Sequence, residues 1–127
     1  MTIDEAIREF DQTRPNQHDK TLKVRWLSRL DGMLWQEIFL THEMPVNIAA
    51  DPWHPYEADM DEDRQLLVGE PYDDIYQWWL ACQSDLVNME MQKHQNDSVL
   101  YNQSYQDFEN YWCRTHLATT GLKRFYT

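Results

Sequence analysis

The stretch LLVGEPYDDIYQWWLACQSDL, residues 66–86, marks the point where the chain turns from a long irregular segment to helical periodicity. A short apolar run and a glycine lead to Pro71, which suits the first turn of a helix because its missing N–H would have no partner there. Asp73 and Asp74 follow and suit the positive end of the helix dipole. The apolar residues beyond them recur at helical spacing, which predicts a helix that reaches about His94.

Apolar residues with the same spacing predict three more helices. Thr2 and Glu5 have the pattern of a capping box, so a short first helix should begin there. It should end before Pro15, because proline pushes the preceding residue out of the helical region. The second helix should run from near Asp19 to about His42.

The fourth helix should begin at a cap formed by Asn96 or Asp97 and end near His116. Only three glycines occur in 127 residues, and a compact β-protein would normally need more of them in its turns. The predicted class is therefore all-α, with four helices arranged like a bundle. The residues expected to be largely buried in its core are Trp26, Leu30, Leu34, Ile75, Trp79, Leu86, Tyr105 and Phe108.

Gly32 interrupts the second helical stripe. A glycine inside an exposed helix costs about 1 kcal/mol relative to alanine. We therefore expect another helix or a bulky side chain to approach the backbone closely at this position.

Residues 43–65 break the helical pattern, because three prolines in that segment exclude a long helix. Short apolar runs at 45–49 and 65–68 are compatible with a small hairpin. After the fourth helix, residues 117–127 have no helical period and should form an extended tail. The predicted organisation is a helical domain over residues 1–116 followed by this tail.

The chain is strongly acidic, with 22 acidic and 11 basic side chains and a net charge of −11. This balance argues against non-specific binding to nucleic-acid phosphates and to anionic membrane surfaces. No apolar run approaches the roughly 20 residues that span a bilayer, and the N-terminus has no signal-peptide pattern. The sequence therefore predicts a soluble protein that is made inside the cell, with reduced cysteines.

The basic residues are concentrated at the end of the chain. No acid follows Glu109, so residues 110–127 carry +3 while the rest of the chain carries −14. A short basic arm on an acidic body is typical of an interaction segment, and a frayed, solvated end is the equally weighted alternative.

One acidic segment partly matches a calcium-binding loop. Asp59, Asp61, Asp63 and Glu70 occupy positions 1, 3, 5 and 12 of that pattern. However, Arg64 stands where the sharp turn of such a loop needs glycine. The favoured interpretation is a solvated acidic loop without a bound cation.

Cys113 and His116 have a spacing compatible with zinc, and Cys82 is a possible third ligand. Buried thiols and a histidine at a helix end are the favoured interpretation, so no metal or cofactor is expected. The sequence also lacks a phosphate-binding glycine loop, a nucleophile elbow and a marked acid–base pair. We therefore expect no enzyme activity.

The aromatic residues are the most informative feature. Tyrosine and tryptophan are enriched at interfaces because they combine a large contact area with a polar tip. Several aromatic residues lie off the helical stripes, in predicted loops or in the tail. Together with the two basic residues of the tail, the hypothesised partner interface comprises Trp35, Trp53, Tyr56, Trp78, Lys123, Arg124, Phe125 and Tyr126.

Three segments in this order resemble small helical head–tail connector (adaptor) proteins of tailed bacteriophages. They are TIDEAIREFDQTRPN at 2–16, VRWLSRLDGMLWQEI at 24–38, and the region from residue 66 to 116. The last has a strand-like LLV, a PYD helix start and a helix end similar to F-x-x-Y-x-x-T-H. The matching residues are Leu66, Leu67, Val68, Pro71, Tyr72, Asp73, Phe108, Tyr111, Thr115 and His116.

The resemblance implies a structural virion protein that forms a ring of twelve copies beneath the portal protein. Such a ring joins the head to the tail proteins and lets DNA pass through its lumen without sequence-specific binding. It would be made in the host cytoplasm and reside at the head–tail interface. The alternative is an acidic regulatory protein that mimics DNA and binds a host nucleic-acid-binding protein; a calcium-dependent binding module comes third.

Overall fold

A computed structural model describes residues 1–43, 52–57 and 63–116 of the chain. Within these ranges the chain is mostly helical and has no extended strand, so the all-α class is confirmed. The helix between residues 75 and 87 is central, because it packs against each of the other three. The helices are α1 (Ile3–Thr13), α2 (Lys20–Leu34), α3 (Ile75–Val87) and α4 (Met91–Thr115).

The first helix begins where the capping pattern predicts. Thr2 is the N-cap, and its hydroxyl oxygen accepts a hydrogen bond from the Glu5 N–H at 3.1 Å. Its apolar face is buried through Ile3 and Phe10. The helix ends at Thr13, and Arg14 is its C-cap. This end before Pro15 was expected, because proline pushes the preceding residue out of the helical region.

The second helix continues as a π-helical segment, Trp35–Phe39. Gly32 lies beneath the ring of Trp53, and a Cβ placed there would be 3.0 Å from the Trp53 ring. The expected close approach of a bulky side chain to Gly32 is therefore confirmed. It holds the segment 52–57 against α2.

The N-terminus pairs with residues that precede α3. Thr2 and Gln65 form an isolated antiparallel bridge, and the Leu66 N–H donates to the Met1 carbonyl at 3.0 Å. Residues 45–49, the other half of the expected hairpin, lie outside the described residues. The segment around Gln65 therefore has its backbone partner at the chain start.

The boundaries of the last two helices differ from the prediction. α3 begins at Ile75, after turns that include Pro71, and it ends at Val87, whereas a helix reaching His94 was expected. Met89 explains the early end, because its φ of 57° is left-handed and reverses the chain.

The fourth helix correspondingly begins at Met91, several residues before the expected cap at Asn96 or Asp97. Asp97 does not cap the helix, because its carboxylate is buried and accepts two hydrogen bonds from Arg14. The end at Thr115 agrees with the expected end near His116.

Most of the expected core is buried, but not all of it. Leu86 is 45 % exposed, because it lies in the last turn of α3, where the helical pair ends. Trp79 and Tyr105 are half-buried against the core. The Trp79 indole N–H donates to the Trp26 carbonyl at 2.7 Å, so α3 and α2 are joined by a polar contact as well as by packing. The remaining expected members, Trp26, Leu30, Leu34, Ile75 and Phe108, are buried.

A buried carboxylate joins the elements at the centre. Asp31 accepts hydrogen bonds from the hydroxyls of Tyr56 and Tyr76 and, at 3.1 Å, from the Leu67 N–H. The Tyr76 hydroxyl in turn accepts from the Val68 N–H at 2.8 Å. This cluster fixes both irregular segments, 52–57 and 63–68, to α2 and α3.

Candidate interaction surface

The turn between α3 and α4 exposes an unusual run of apolar side chains. Leu86, Val87, Met89 and Met91 are 45–81 % exposed. We call residues 86–91 the α3–α4 tip. Large apolar residues that are clustered and exposed mark binding surfaces more often than single ones do.

The backbone explains why the tip projects these residues. The Asn88 N–H still donates to the Ser84 carbonyl at 3.0 Å, and the Glu90 N–H donates back to the Asp85 carbonyl at 2.9 Å. Between them, Met89 adopts the left-handed conformation, so its side chain is the most exposed of the apolar group. The tip is thus a tight reversal that is hydrogen-bonded to the end of α3.

The tip also has few charged residues, although the protein has a net charge of −11. Its single charged residue is Glu90, whose carboxylate lies 2.7 Å from the Lys93 ammonium. Two copies of an acidic chain repel each other over most of their surfaces, whereas this surface adds no unpaired charge to a contact.

Sequence reasoning missed the tip because it placed Leu86 in the core and assigned one continuous helix to residues 71–94. A signal was present: four apolar residues fall within the six residues 86–91, more than one helical face accommodates. The left-handed Met89 itself has no local signature, since glycine or asparagine is the usual residue in that conformation.

The hypothesised interface aromatics have different environments. Trp35 and Tyr56 are each 7 % exposed; Trp35 packs edge-on against Phe39, and Tyr56 bonds to Asp31. Little of either side chain is left for a partner, so their displacement from the helical stripes reflects packing within the chain.

Trp53 and Trp78 are half-buried and keep some accessible surface. Trp78 borders a small cavity of about 370 Å³ beside Phe10 of α1. The four tail residues of the hypothesised interface, Lys123, Arg124, Phe125 and Tyr126, lie outside the described residues.

The possible zinc ligands have other neighbours. The Cys113 sulfur is 3.3 Å from Nε2 of His42, while His116 stacks on the Trp112 ring at 3.7 Å. Cys82 is 3.8 Å from the hydroxyl of Ser98. Cys82 is buried as expected, whereas Cys113 is exposed, so the expectation of two buried thiols is wrong for Cys113. Partial desolvation nevertheless raises the pKa of the Cys113 thiol.

The acidic loop is only partly described. Asp59 and Asp61 lie outside the described residues, while Asp63 and Glu70 are exposed. Arg64 lies over the Tyr56 ring at 4.5 Å and donates to the His54 carbonyl at 3.0 Å. Across residues 1–43, 52–57 and 63–116, no three metal-ligating side chains form a group.

Several residues on which the sequence resemblance rests lie close together in the structure. Tyr72 stacks on Tyr111 with ring centroids 4.8 Å apart and contacts Phe108 edge-on at 6.3 Å. Leu66 and Val68 are buried in the same core. The residues that carry the resemblance therefore include a packing unit between the turn that precedes α3 and the end of α4.

In the described part of the chain, no helix combines the length and the hydrophobicity needed to cross a membrane. Comparisons with protein-family models, with curated proteins and with solved structures find no match.

Proposed function

We propose that this chain is a structural connector subunit of a tailed bacteriophage, which assembles into a ring between the portal and the tail. The observation that carries the assembly role is the exposed apolar α3–α4 tip, residues 86–91, in a chain with a net charge of −11. The resemblance of residues 2–16, 24–38 and 66–116 to connector sequences supplies the biological setting.

The tip would insert into a different surface of the neighbouring copy. A contact between two unlike surfaces repeats around an axis and closes into a ring when the rotation permits. The resemblance implies twelve copies. Glu90, the charged residue of the tip, forms an ion pair with Lys93. Burying the tip therefore leaves no unpaired ion in the contact.

The tip alone is too small to hold such a ring together. A stable interface buries about 1,200–2,000 Å² in total, which is far more than four side chains supply. The half-buried Trp53 and Trp78 are further candidates for this contact. The acidic charge would then line the free surfaces, where it repels passing DNA and keeps it from adhering.

Light scattering after size-exclusion chromatography tests the assembly role, with the protein alone and co-expressed with a portal protein. Electron micrographs of the same fractions show whether the particles are rings. We expect an oligomer in at least one of the two samples and a monomer for the double variant Val87→Asp, Met89→Asp. The control is Val99→Asp, which makes the same change at another exposed apolar residue, 68 % exposed, on α4.

A chain that stays monomeric in both samples contradicts the connector assignment. An oligomer that survives the double variant leaves the tip without the assembly role. An acidic monomer that instead binds a nucleic-acid-binding protein would favour the DNA-mimic alternative.

A further inference from the structure

Two buried carboxylates face one guanidinium beside the tip. Arg14, the C-cap of α1, donates to both oxygens of Asp97 at 2.6 and 2.8 Å. The same guanidinium is 3.7 Å from Oδ1 of Asp85. The two acidic side chains are only 5–6 % exposed, so α1, α3 and α4 meet at this cluster.

The charges within the cluster do not balance. Arg14 is fully engaged by Asp97, and its contact with Asp85 is longer than a hydrogen bond. The Oδ2 atom of Asp85 is buried and has no hydrogen-bond partner among the described residues. An ionised carboxylate with such an oxygen is costly, because burial removes water and nothing replaces it.

Other charged groups around the pair do not relieve this imbalance. Lys93 lies 2.7 Å from Glu90 and is paired with it. The His94 ring contacts the Cys82 carbonyl at 3.3 Å and the Ser98 hydroxyl at 3.4 Å, and the His18 ring contacts the Ser84 hydroxyl through Nε2 at 3.0 Å. On α3 itself, the Cys82 thiol is kept neutral, because burial raises its pKa.

We propose that Asp85 and Asp97 share one proton, which is held on Oδ2 of Asp85 and donated to Asp97, with Arg14 as their common cation. With the proton bound, the buried Oδ2 of Asp85 has a hydrogen-bond partner and the cluster carries no net charge. When it leaves to water, two carboxylates face a single guanidinium and repel each other.

The direction of the pKa shifts agrees with this arrangement. Burial, then the neighbouring Asp97, raises the pKa of Asp85. Burial acts in the same direction on Asp97, but the hydrogen bonds from Arg14 and Asp85 together with the charge of Arg14 outweigh it and hold the pKa of Asp97 below its ordinary value. Two adjacent carboxyls whose pKa values move apart in this way are typical of a pair that holds one proton.

A proton suits this position better than a bound cation does. The unpartnered oxygen is closed to solvent, so an ammonium group or a metal ion cannot reach it without opening the cluster. A polar cleft of about 760 Å³ borders the pair and supplies water for proton exchange.

The shared proton would couple pH to the tip. The Asp85 carbonyl accepts the Glu90 N–H at 2.9 Å, and Asp97 lies in the second turn of α4. Asp85 and Asp97 thus lie on opposite sides of the turn between α3 and α4. Repulsion between their carboxylates would therefore act on the turn that exposes Leu86 and Met89. This inference concerns the isolated chain and holds whether or not the protein forms rings.

Carboxyl-detected NMR with ¹³C-labelled aspartate tests the proposal on the wild-type chain. We expect one carboxyl of the pair to titrate well above the ordinary aspartate range and the other below it. The variant Asp85→Asn assigns the upper titration by removing it. If both carboxyls titrate within the ordinary range in the wild-type protein, the proposal is wrong.

A second variant separates a shared proton from simple burial. In Asp97→Asn, Asp85 loses its carboxylate neighbour and gains Arg14, so its titration should fall toward the ordinary range. The control Asp107→Asn makes the same change at an exposed site on α4 and should leave the titration of Asp85 in place. An unchanged titration in Asp97→Asn, in a variant with a wild-type circular dichroism spectrum, would overturn the sharing of the proton.

Discussion

Asp31 and Asp85 are both aspartates buried on the inner side of a helix, but their surroundings differ. Three donors from three separate segments surround the Asp31 carboxylate. Asp85 has one distant guanidinium and one oxygen without a donor. Burial raises the pKa of each to about 6. Burial is the largest cause of both shifts, and the neighbouring Asp97 adds to the shift of Asp85. The donors around each carboxylate therefore decide whether its charged form stabilises the fold.

The largest effect is expected from Asp31→Ala. This change leaves the hydroxyls of Tyr56 and Tyr76 and the Leu67 N–H without their acceptor in the core. We expect a loss of unfolding free energy on the order of 3–6 kcal/mol, because each stranded buried donor costs about 1–3 kcal/mol.

Urea unfolding followed by circular dichroism measures this loss. The control is Asp107→Ala, at an exposed carboxylate on α4 that accepts a hydrogen bond from the Gln103 side chain at 2.9 Å. Equal losses in the two variants would mean that the Asp31 cluster does not organise the core.

Tyr76→Phe should have the next largest effect. Its hydroxyl donates to Asp31 at 2.7 Å and accepts from the Val68 N–H at 2.8 Å, so the variant breaks two links of the cluster. We expect a loss of about 2 kcal/mol. The pKa of Asp31 should rise further, because a donor to its charged form is gone.

Chemical denaturation and a titration of Asp31 by NMR test both parts of that prediction. Tyr111→Phe is the matched control, since this half-buried tyrosine packs on Tyr72 but its hydroxyl has no hydrogen bond in the described ranges. If the control loses as much stability as Tyr76→Phe, the hydroxyl of Tyr76 is not what stabilises the junction.

The sequence pattern correctly predicted the features that depend on residues close together in the chain. The cap at Thr2, the all-α class and the close approach to Gly32 each follow from a few neighbouring residues. Residues 24–38 gave a clear apolar stripe because most of that helix face is buried by the fold.

The buried acids were missed for a different reason. Asp31 lies one residue from Leu30 and four from Leu27, on the apolar side of α2, and that position was a usable signal. Its partners, however, lie 25 and 45 residues away, so no local pattern shows that a carboxylate there is satisfied. The same holds for Asp97, whose partner Arg14 is 83 residues away. The sequence pattern therefore suggested Asp97 as a possible helix cap, whereas its carboxylate is bound by Arg14.

Asp85→Asn should change the unfolding free energy less than Asp31→Ala or Tyr76→Phe does. It should also raise that free energy, whereas the other two changes lower it. Because folding raises the pKa of Asp85 to about 6, the folded chain holds this proton more tightly than the unfolded chain does. The charged side chain therefore lowers stability above that pH, and the loss fades as the pH falls toward about 4. An amide keeps the shape of the protonated form and can donate to Asp97.

Thermal melts at several pH values test this prediction. We expect the variant to melt roughly 2–4 °C higher than the wild-type chain at pH 7.5 and at nearly the same temperature below about pH 4. Asp31 titrates in the same range, so the difference between the two proteins, rather than either curve alone, reports on Asp85. A variant less stable than the wild type at pH 7.5 would show that Asp85 is stabilising as a carboxylate.

The smallest effect is expected at Gly32, the neighbour of Asp31. Alanine gains about 1 kcal/mol in helix propensity over glycine. The added methyl group would lie 3.0 Å from the Trp53 ring, tighter than ordinary contact, so the ring must shift by a few tenths of an ångström. Since Trp53 packs on Tyr56, which bonds to Asp31, that shift is resisted by the satisfied cluster. We expect these effects to cancel to within about 1 kcal/mol in unfolding measurements.

In a Tyr56→Phe background the link to Asp31 is gone, so the Trp53 ring should move more easily and Gly32→Ala should become more favourable. An identical effect in both backgrounds would mean that the Asp31 cluster does not hold the segment 52–57 against α2.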